Sequence, residues 1–139
     1  MMETTMASTL PPLRILLAED NLISQKVAQA LLTRFGHQVT VVGDGKAAFE
    51  AVAEGSFDAV LMDIQMPEMD GLEATRAIRS LAGARGLLPI IAMTAGSAEH
   101  DEGRCLAAGM DGHVTKPVDT QKVFDLLERC LSGRGRPAP

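Results

Sequence analysis

The stretch Ala59-Val60-Leu61-Met62-Asp63-Ile64-Gln65-Met66-Pro67-Glu68-Met69-Asp70-Gly71 runs from four apolar residues to an aspartate, then through a turn toward a helix. Ala59–Met62 lacks the alternation of a half-exposed strand, so it predicts a strand covered on both faces. Asp63 then stands at that strand's carboxyl end. Asp70 lies three residues before Glu73, a capping-box spacing with Asp as the cap.

Working outward, four more apolar runs have the same character: Arg14–Ala18, Gln38–Val42, Pro89–Thr94 and a short Gly112–Thr115. The stretches between them are long enough for crossover helices. Five β-α units in series predict an α/β fold, a parallel sheet with helices on both faces. Asn21 is placed to cap a first helix that ends at Gly36. Asp44 precedes Gly45 and Lys46–Ala53, which Gly55 closes. Ser97 and Asp119 are candidate caps for the last two helices, with Gly109 after the fourth. Residues 1–12 and 132–139 read as tails or linkers, leaving one domain over 13–131, with no internal repeat and no second domain.

On the first helix, Ser24, Val27, Ala28, Leu31 and Phe35 form the expected core stripe at helical spacing. Leu22, Ile23, Lys26 and Ala30 fall off it. Leu22 and Ile23 are therefore expected as exposed apolar residues beside an acidic pair.

Composition narrows the function. The 139 residues are 46% hydrophobic, enough for a core, and carry a net charge of −5. No basic stripe is present, which argues against direct nucleic-acid binding. Four Phe, with neither Trp nor Tyr, leave little for base stacking. Cys105 and Cys130 form no CxxC unit and read as a reduced cytosolic pair. The longest charge-free run, Gly86 to Ala98, falls short of the roughly 20 apolar residues of a membrane span. No secretory signal is visible, so a cytoplasmic protein is expected.

Ligands of an open parallel sheet sit beyond the carboxyl ends of its strands. Here those ends deliver Glu19 and Asp20, then Asp63, Thr94 and Lys116. Singly, each has a bland explanation: a polar loop with a helix cap, a turn residue, a surface lysine. Together they make a site. Three converging carboxylates repel one another unless a cation holds them ionised. A hard divalent ion suits them, since Mg²⁺ prefers one or two carboxylates with water and phosphate oxygens. Lys116 adds a fixed positive charge.

These residues resemble the receiver domains of bacterial response regulators and of hybrid histidine kinases in two-component signalling. The resemblance covers about Leu13 to Leu131. It is strongest over Leu61–Gly71 and recurs in Glu19-Asp20-Asn21, Met93-Thr94-Ala95, Ala108-Gly109-Met110-Asp111 and Thr115-Lys116-Pro117. It implies a flavodoxin-like (βα)5 fold with strand order 2-1-3-4-5. It implies a phosphoacceptor signalling domain rather than an enzyme, in which Asp63 takes a phosphoryl group from a phosphohistidine donor. Asp20, Asp63 and the backbone carbonyl of Gln65 would ligate Mg²⁺ or Mn²⁺, with Glu19 acting through water. The Thr94 hydroxyl and Lys116 would contact the phosphoryl oxygens, and the Lys116–Pro117 bond is expected to be cis. The implied partner is a histidine kinase or histidine phosphotransfer domain, docking on Leu22, Ile23 and Lys26. No membrane contact by this domain is implied. The motif wording leans toward hybrid kinases, whose parent protein would be a protein-histidine kinase.

Two positions depart from the family pattern. His113 stands where the family often has Tyr or Phe, and is expected to act with Thr94 as a damped switch. Gly96 brings no side chain to the place where phosphate lifetime is often tuned. Among rivals, a haloacid-dehalogenase-type phosphatase needs a second Asp as general acid where Gln65 stands. A flavin-binding protein would want a Gly- or Ser-rich phosphate loop in place of Glu19-Asp20-Asn21-Leu22. A receiver that no longer takes phosphate is the remaining alternative.

Overall fold

The computed structural model describes residues 11–66, 68–94, 98–116 and 119–135, with backbone only at 98–102 and 132–135. The expectations on Pro67, Gly96, Ser97, the Lys116–Pro117 bond and the outer parts of both tails lie outside the described residues.

The elements are β1 (Arg14–Ala18), α1 (Leu22–Arg34), β2 (Gln38–Val42), α2 (Gly45–Glu54), β3 (Ala59–Asp63) and α3 (Gly71–Arg79). A 3₁₀ turn over Gly83–Leu87 follows, then β4 (Ile90–Thr94), α4 (Ala98–Ala108), β5 (Gly112–Thr115) and α5 (Thr120–Gly135). The strands form one parallel sheet of order β2-β1-β3-β4-β5, the order that the family resemblance implies. Chain order reverses between β1 and β3, which opens the ligand crevice at their carboxyl ends.

The two sheet faces carry two separate cores. Leu16, Val60, Met62, Ile90 and Ala92 pack on one side with residues of α2 and α3. Ile15, Leu17, Leu61, Ile91 and Met93 pack on the other with Leu32, Phe124 and Leu127. This explains the unbroken apolar runs: β3 and β4 are buried at every position. Each such Leu or Ile contributes roughly 1.5–3 kcal/mol by leaving water. By contrast, β2 is an edge strand and keeps Gln38 and Thr40 exposed.

Capping follows the sequence. The side chains of Asn21, Asp44 and Asp70 accept from the N–H groups of Ser24, Ala47 and Glu73 at 2.9, 2.7 and 2.9 Å. Glu73 returns the bond to the Asp70 N–H, completing the box. Asp119 accepts from the Gln121 N–H at 2.9 Å. Helix α5 continues to Gly135, past residue 132 where the sequence places the start of a tail.

The expected α1 stripe needs correction. Ala28 is buried as expected, but its buried companion is Leu32, while Val27 and Phe35 are 50% and 39% exposed. The inward face is turned by about one residue from the Ser24–Val27–Ala28–Leu31–Phe35 line. Phe35 is the C-cap rather than a helix-interior residue, and its ring meets Phe124 edge-on at 5.1 Å.

Candidate functional site

Four of the five strand ends contribute to one acidic crevice. Glu19 and Asp20 follow β1, Asp63 ends β3, Thr94 ends β4, and Lys116 follows β5. The Lys116 N–H donates to the Thr94 carbonyl at 2.8 Å, which fixes where the lysine leaves the sheet. Carboxylate oxygens of Glu19, Asp20 and Asp63 lie within 4.8 Å of one another. Glu19 and Asp63 are buried and Asp20 is exposed.

Both oxygens of Asp63 are held. Its Oδ1 accepts from the Gln65 N–H at 3.0 Å, and its Oδ2 accepts from Lys116 Nζ at 2.9 Å. Glu19 Oε2 accepts from the Asn21 N–H at 3.0 Å, while Oε1 lies 2.7 Å from Lys116 Nζ in an ion pair not aligned as a hydrogen bond. Lys116 thus serves two carboxylates at once. Burial pushes the Glu19 carboxyl above its ordinary value, and the Asp63 charge adds to this against the pull of Lys116 and of the Asn21 N–H. Burial works against the charged form of Lys116, yet its close contacts with Glu19 and Asp63, and their charges, push its pKa above the ordinary value.

A divalent cation fits this donor set. Three carboxylates crowd one point, the described ion pairs of Glu19 and Asp63 both run to Lys116, and Glu19 is destabilised as an anion. Oxygen donors of this kind suit Mg²⁺. Thr94 Oγ1 is fully buried and has no hydrogen-bond partner among the described residues. A hydroxyl in that state awaits an acceptor, since an unmade buried hydrogen bond costs about 1–3 kcal/mol.

The remaining sequence candidates sit around this centre. Gln65 is exposed on the loop after β3. His113 is half-buried on β5; the register sets it beside Ala92 and sets Thr115 beside Thr94. Alternation along the strands therefore puts His113 on the same sheet face as Thr94, one pleat away. Leu22 and Ile23 are 68% and 74% exposed, and Lys26 is exposed beside them. A cavity of about 220 Å³ separates Ile23 and Val27 of α1 from Met93 and Lys116. The sequence reading missed Val27, whose place was hidden by the misplaced stripe. It also missed Gly71, whose N–H donates to the Ile64 carbonyl at 3.1 Å. A Cβ there would stand 2.2 Å from the Asp63 carbonyl oxygen, so only glycine lets α3 start against the end of β3. The Asp70-Gly71 pair was the available signal.

Among the described residues no helix is long and apolar enough to cross a membrane. The sequence pattern of the family described as "Response regulator receiver domain" matches residues 15–128. Hybrid signal transduction histidine kinase I of Dictyostelium discoideum is 40% identical over 126 residues, covering 86% of this chain and 7% of that protein. The chain spans 6% to 17% of the length of eight curated relatives.

Among solved structures, the receiver domain of sensor histidine kinase PA1611 from Pseudomonas aeruginosa PAO1 has a magnesium ion coordinated in its active site cleft. It superposes with a TM-score of 0.79 at 38% identity, covering 88% of this chain and 99% of that one. A Saccharomyces cerevisiae receiver domain, of the response regulator Ssk1, was solved with the histidine phosphotransfer protein Ypd1. This match gives 0.79 at 25% identity, covering 90% and 94%. The sheet order, the strand-end acids and these likenesses agree: the chain belongs to the response regulator receiver domain family.

Proposed function

We propose that this domain accepts a phosphoryl group on Asp63 from a phosphohistidine donor, in a Mg²⁺-dependent exchange, and changes conformation as a result. The observation that carries this is the Asp63 carboxylate itself. It ends β3, is pinned between the Gln65 N–H and Lys116 Nζ, and shares its crevice with Glu19 and Asp20.

The chemistry asks mainly for alignment and charge neutralisation. One Asp63 carboxylate oxygen forms the new O–P bond while the P–N bond to the donor imidazole breaks and its electron pair returns to that nitrogen. A carboxylate oxygen attacks through a lone pair and has no proton to give up, so no general base is required. Glu19, Asp20, Asp63 and the Gln65 carbonyl are the residues that would hold the cation, Glu19 through water. Bound there, Mg²⁺ would neutralise the phosphoryl oxygens. Lys116 supplies a second cation to the same oxygens, and the Thr94 hydroxyl donates to one of them. Reorientation of Thr94 would then draw His113, its neighbour on the sheet face, into the switch.

A histidine phosphotransfer protein or kinase domain is the donor in this reading, supported by the likeness to the receiver solved with Ypd1. Leu22, Ile23 and Lys26 would form its docking edge on α1, widened by Val27. The matched kinases support a parent of the hybrid histidine kinase type, with residues 13–131 as its receiver unit. A cytoplasmic setting is in keeping with the low cysteine content.

The test is intact mass after incubation with acetyl phosphate. One added phosphoryl group is expected with Mg²⁺, and none in Asp63→Asn or with the metal chelated. Equal phosphorylation of Asp63→Asn would end this reading.

A further inference from the structure

The loop from Gln65 to Asp70 joins β3 to α3 and carries the carbonyl assigned above to the cation. Its far end is pinned by the capping box and by the Gly71 N–H on the Ile64 carbonyl. Within it Glu68 has φ +68°, a left-handed conformation disfavoured for any residue with a side chain. Such conformations persist where the surroundings over-determine them.

A backbone hydrogen bond reaches the loop from outside. Asp44 caps α2, and the next residue, the buried Gly45, donates its N–H to the Met69 carbonyl at 2.9 Å. The approach is so close that a Cβ on Gly45 would stand 2.1 Å from the Met69 oxygen and 2.9 Å from the Asp70 oxygen. Only glycine lets α2 begin there without moving the backbone beside Glu68.

We propose that Gly45 is a positioning residue for the cation site: through the Met69 carbonyl it fixes the loop that presents Gln65, and so sets the cation affinity of the Glu19–Asp20–Asp63 cluster. This rests on reading that cluster as a divalent-cation site. The contact couples the start of α2, which adds no ligand, to the geometry of the acidic crevice.

Calorimetric titration of the unphosphorylated domain with Mg²⁺, with no phosphodonor present, tests this. Gly45→Ala is expected to weaken Mg²⁺ binding by about tenfold or more, as loss of groups that orient metal ligands does. Gly103→Ala, whose added methyl meets nothing within 4 Å, is expected to bind as the wild type does. Wild-type affinity in Gly45→Ala would overturn the proposal while leaving the cation site standing. A wild type that binds no Mg²⁺ would overturn the site itself and this inference with it.

A second measurement covers the case in which Gly45→Ala does not fold. Coupling is reciprocal, so Mg²⁺ must strengthen the contact that strengthens its binding. In the wild type, exchange of the Gly45 amide is expected to slow in Mg²⁺ relative to the Gly55 amide, which donates to Ala51 at the other end of α2. An unchanged ratio would overturn the proposal.

Discussion

Lys116 Nζ lies 2.9 Å from Asp63 Oδ2, closing 53 residues of chain into one ion pair. The same nitrogen is 2.7 Å from Glu19 Oε1, so one lysine balances two buried acids. Two unit charges at 4 Å attract by about 4 kcal/mol at an effective dielectric near 20, which offsets much of what burying them costs. Removing Lys116 would strand both carboxylates.

Lys116→Ala is expected to lose about 3 kcal/mol of stability without divalent ions, as breaking a buried pair does. Mg²⁺ then has more repulsion to relieve. The rise in melting temperature on adding saturating Mg²⁺ should be larger in the variant than in the wild type. Equal rises would contradict the view that lysine and metal neutralise the same acids.

The exposed edge of α1 makes a separate prediction. Ile23→Glu keeps every acid, the hydroxyl and the lysine of the crevice but puts charge on the apolar edge beside it. Phosphorylation from a histidine phosphotransfer donor should slow by tenfold or more, about 1.4 kcal/mol in the transition state. Phosphorylation by acetyl phosphate should be unchanged, and equal slowing of both rates would remove α1 as the docking edge.

His37 predicts a pH dependence. It is buried, its Nδ1 accepts from the Leu13 N–H at 3.0 Å, and its ring packs beside Phe124. Burial holds its pKa below the ordinary 6.5. The unfolded chain therefore takes up a proton at higher pH than the folded one, so stability is retained above about 6.5 and lost as pH falls below it. His37→Asn keeps an acceptor for Leu13 but no titrating ring. Melting temperatures between pH 7.5 and 5.5 should fall more steeply for the wild type, and parallel curves would show that His37 does not titrate as described.

His113 and Thr94 share a sheet face, so a switch through them should be visible side chain by side chain. With beryllium trifluoride and Mg²⁺, standing in for the phosphoryl group, the Thr94 hydroxyl should turn toward the fluoride and the His113 ring should change rotamer. Crystal structures of the two states measure this directly. Identical rotamers would remove both residues from the switch.

Strands were legible because burial on both faces writes itself as unbroken apolar runs such as Ala59–Met62 and Ile90–Met93. Caps were legible because Asn21, Asp44 and Asp70 act within three residues of their own position. The α1 face was not. A 3.6-residue period admits overlapping stripes, and only packing of Ala28 and Leu32 against the sheet chooses between them. Contacts that close long loops were also hidden. Arg79 donates to the Gly109 and Leu88 carbonyls and pairs with Asp111 at 2.8 Å, tying α3 to the segments that lead into β4 and β5. Nothing near Arg79 in sequence announces partners 30 residues away. The strand-end acids were legible through topology, since a parallel sheet delivers all its carboxyl ends to one edge. Their shared lysine gave the grouping its chemistry.

The central claim is that Asp63 itself carries the phosphoryl group. Borohydride reduces an aspartyl phosphate to homoserine and leaves a free carboxylate untouched. After phosphorylation, borohydride treatment and proteolysis, peptide mass spectrometry should find homoserine at position 63, only when Mg²⁺ and the phosphodonor were both present. Homoserine at another aspartate, or an unmodified Asp63 in a chain that has gained a phosphoryl group, would contradict the account.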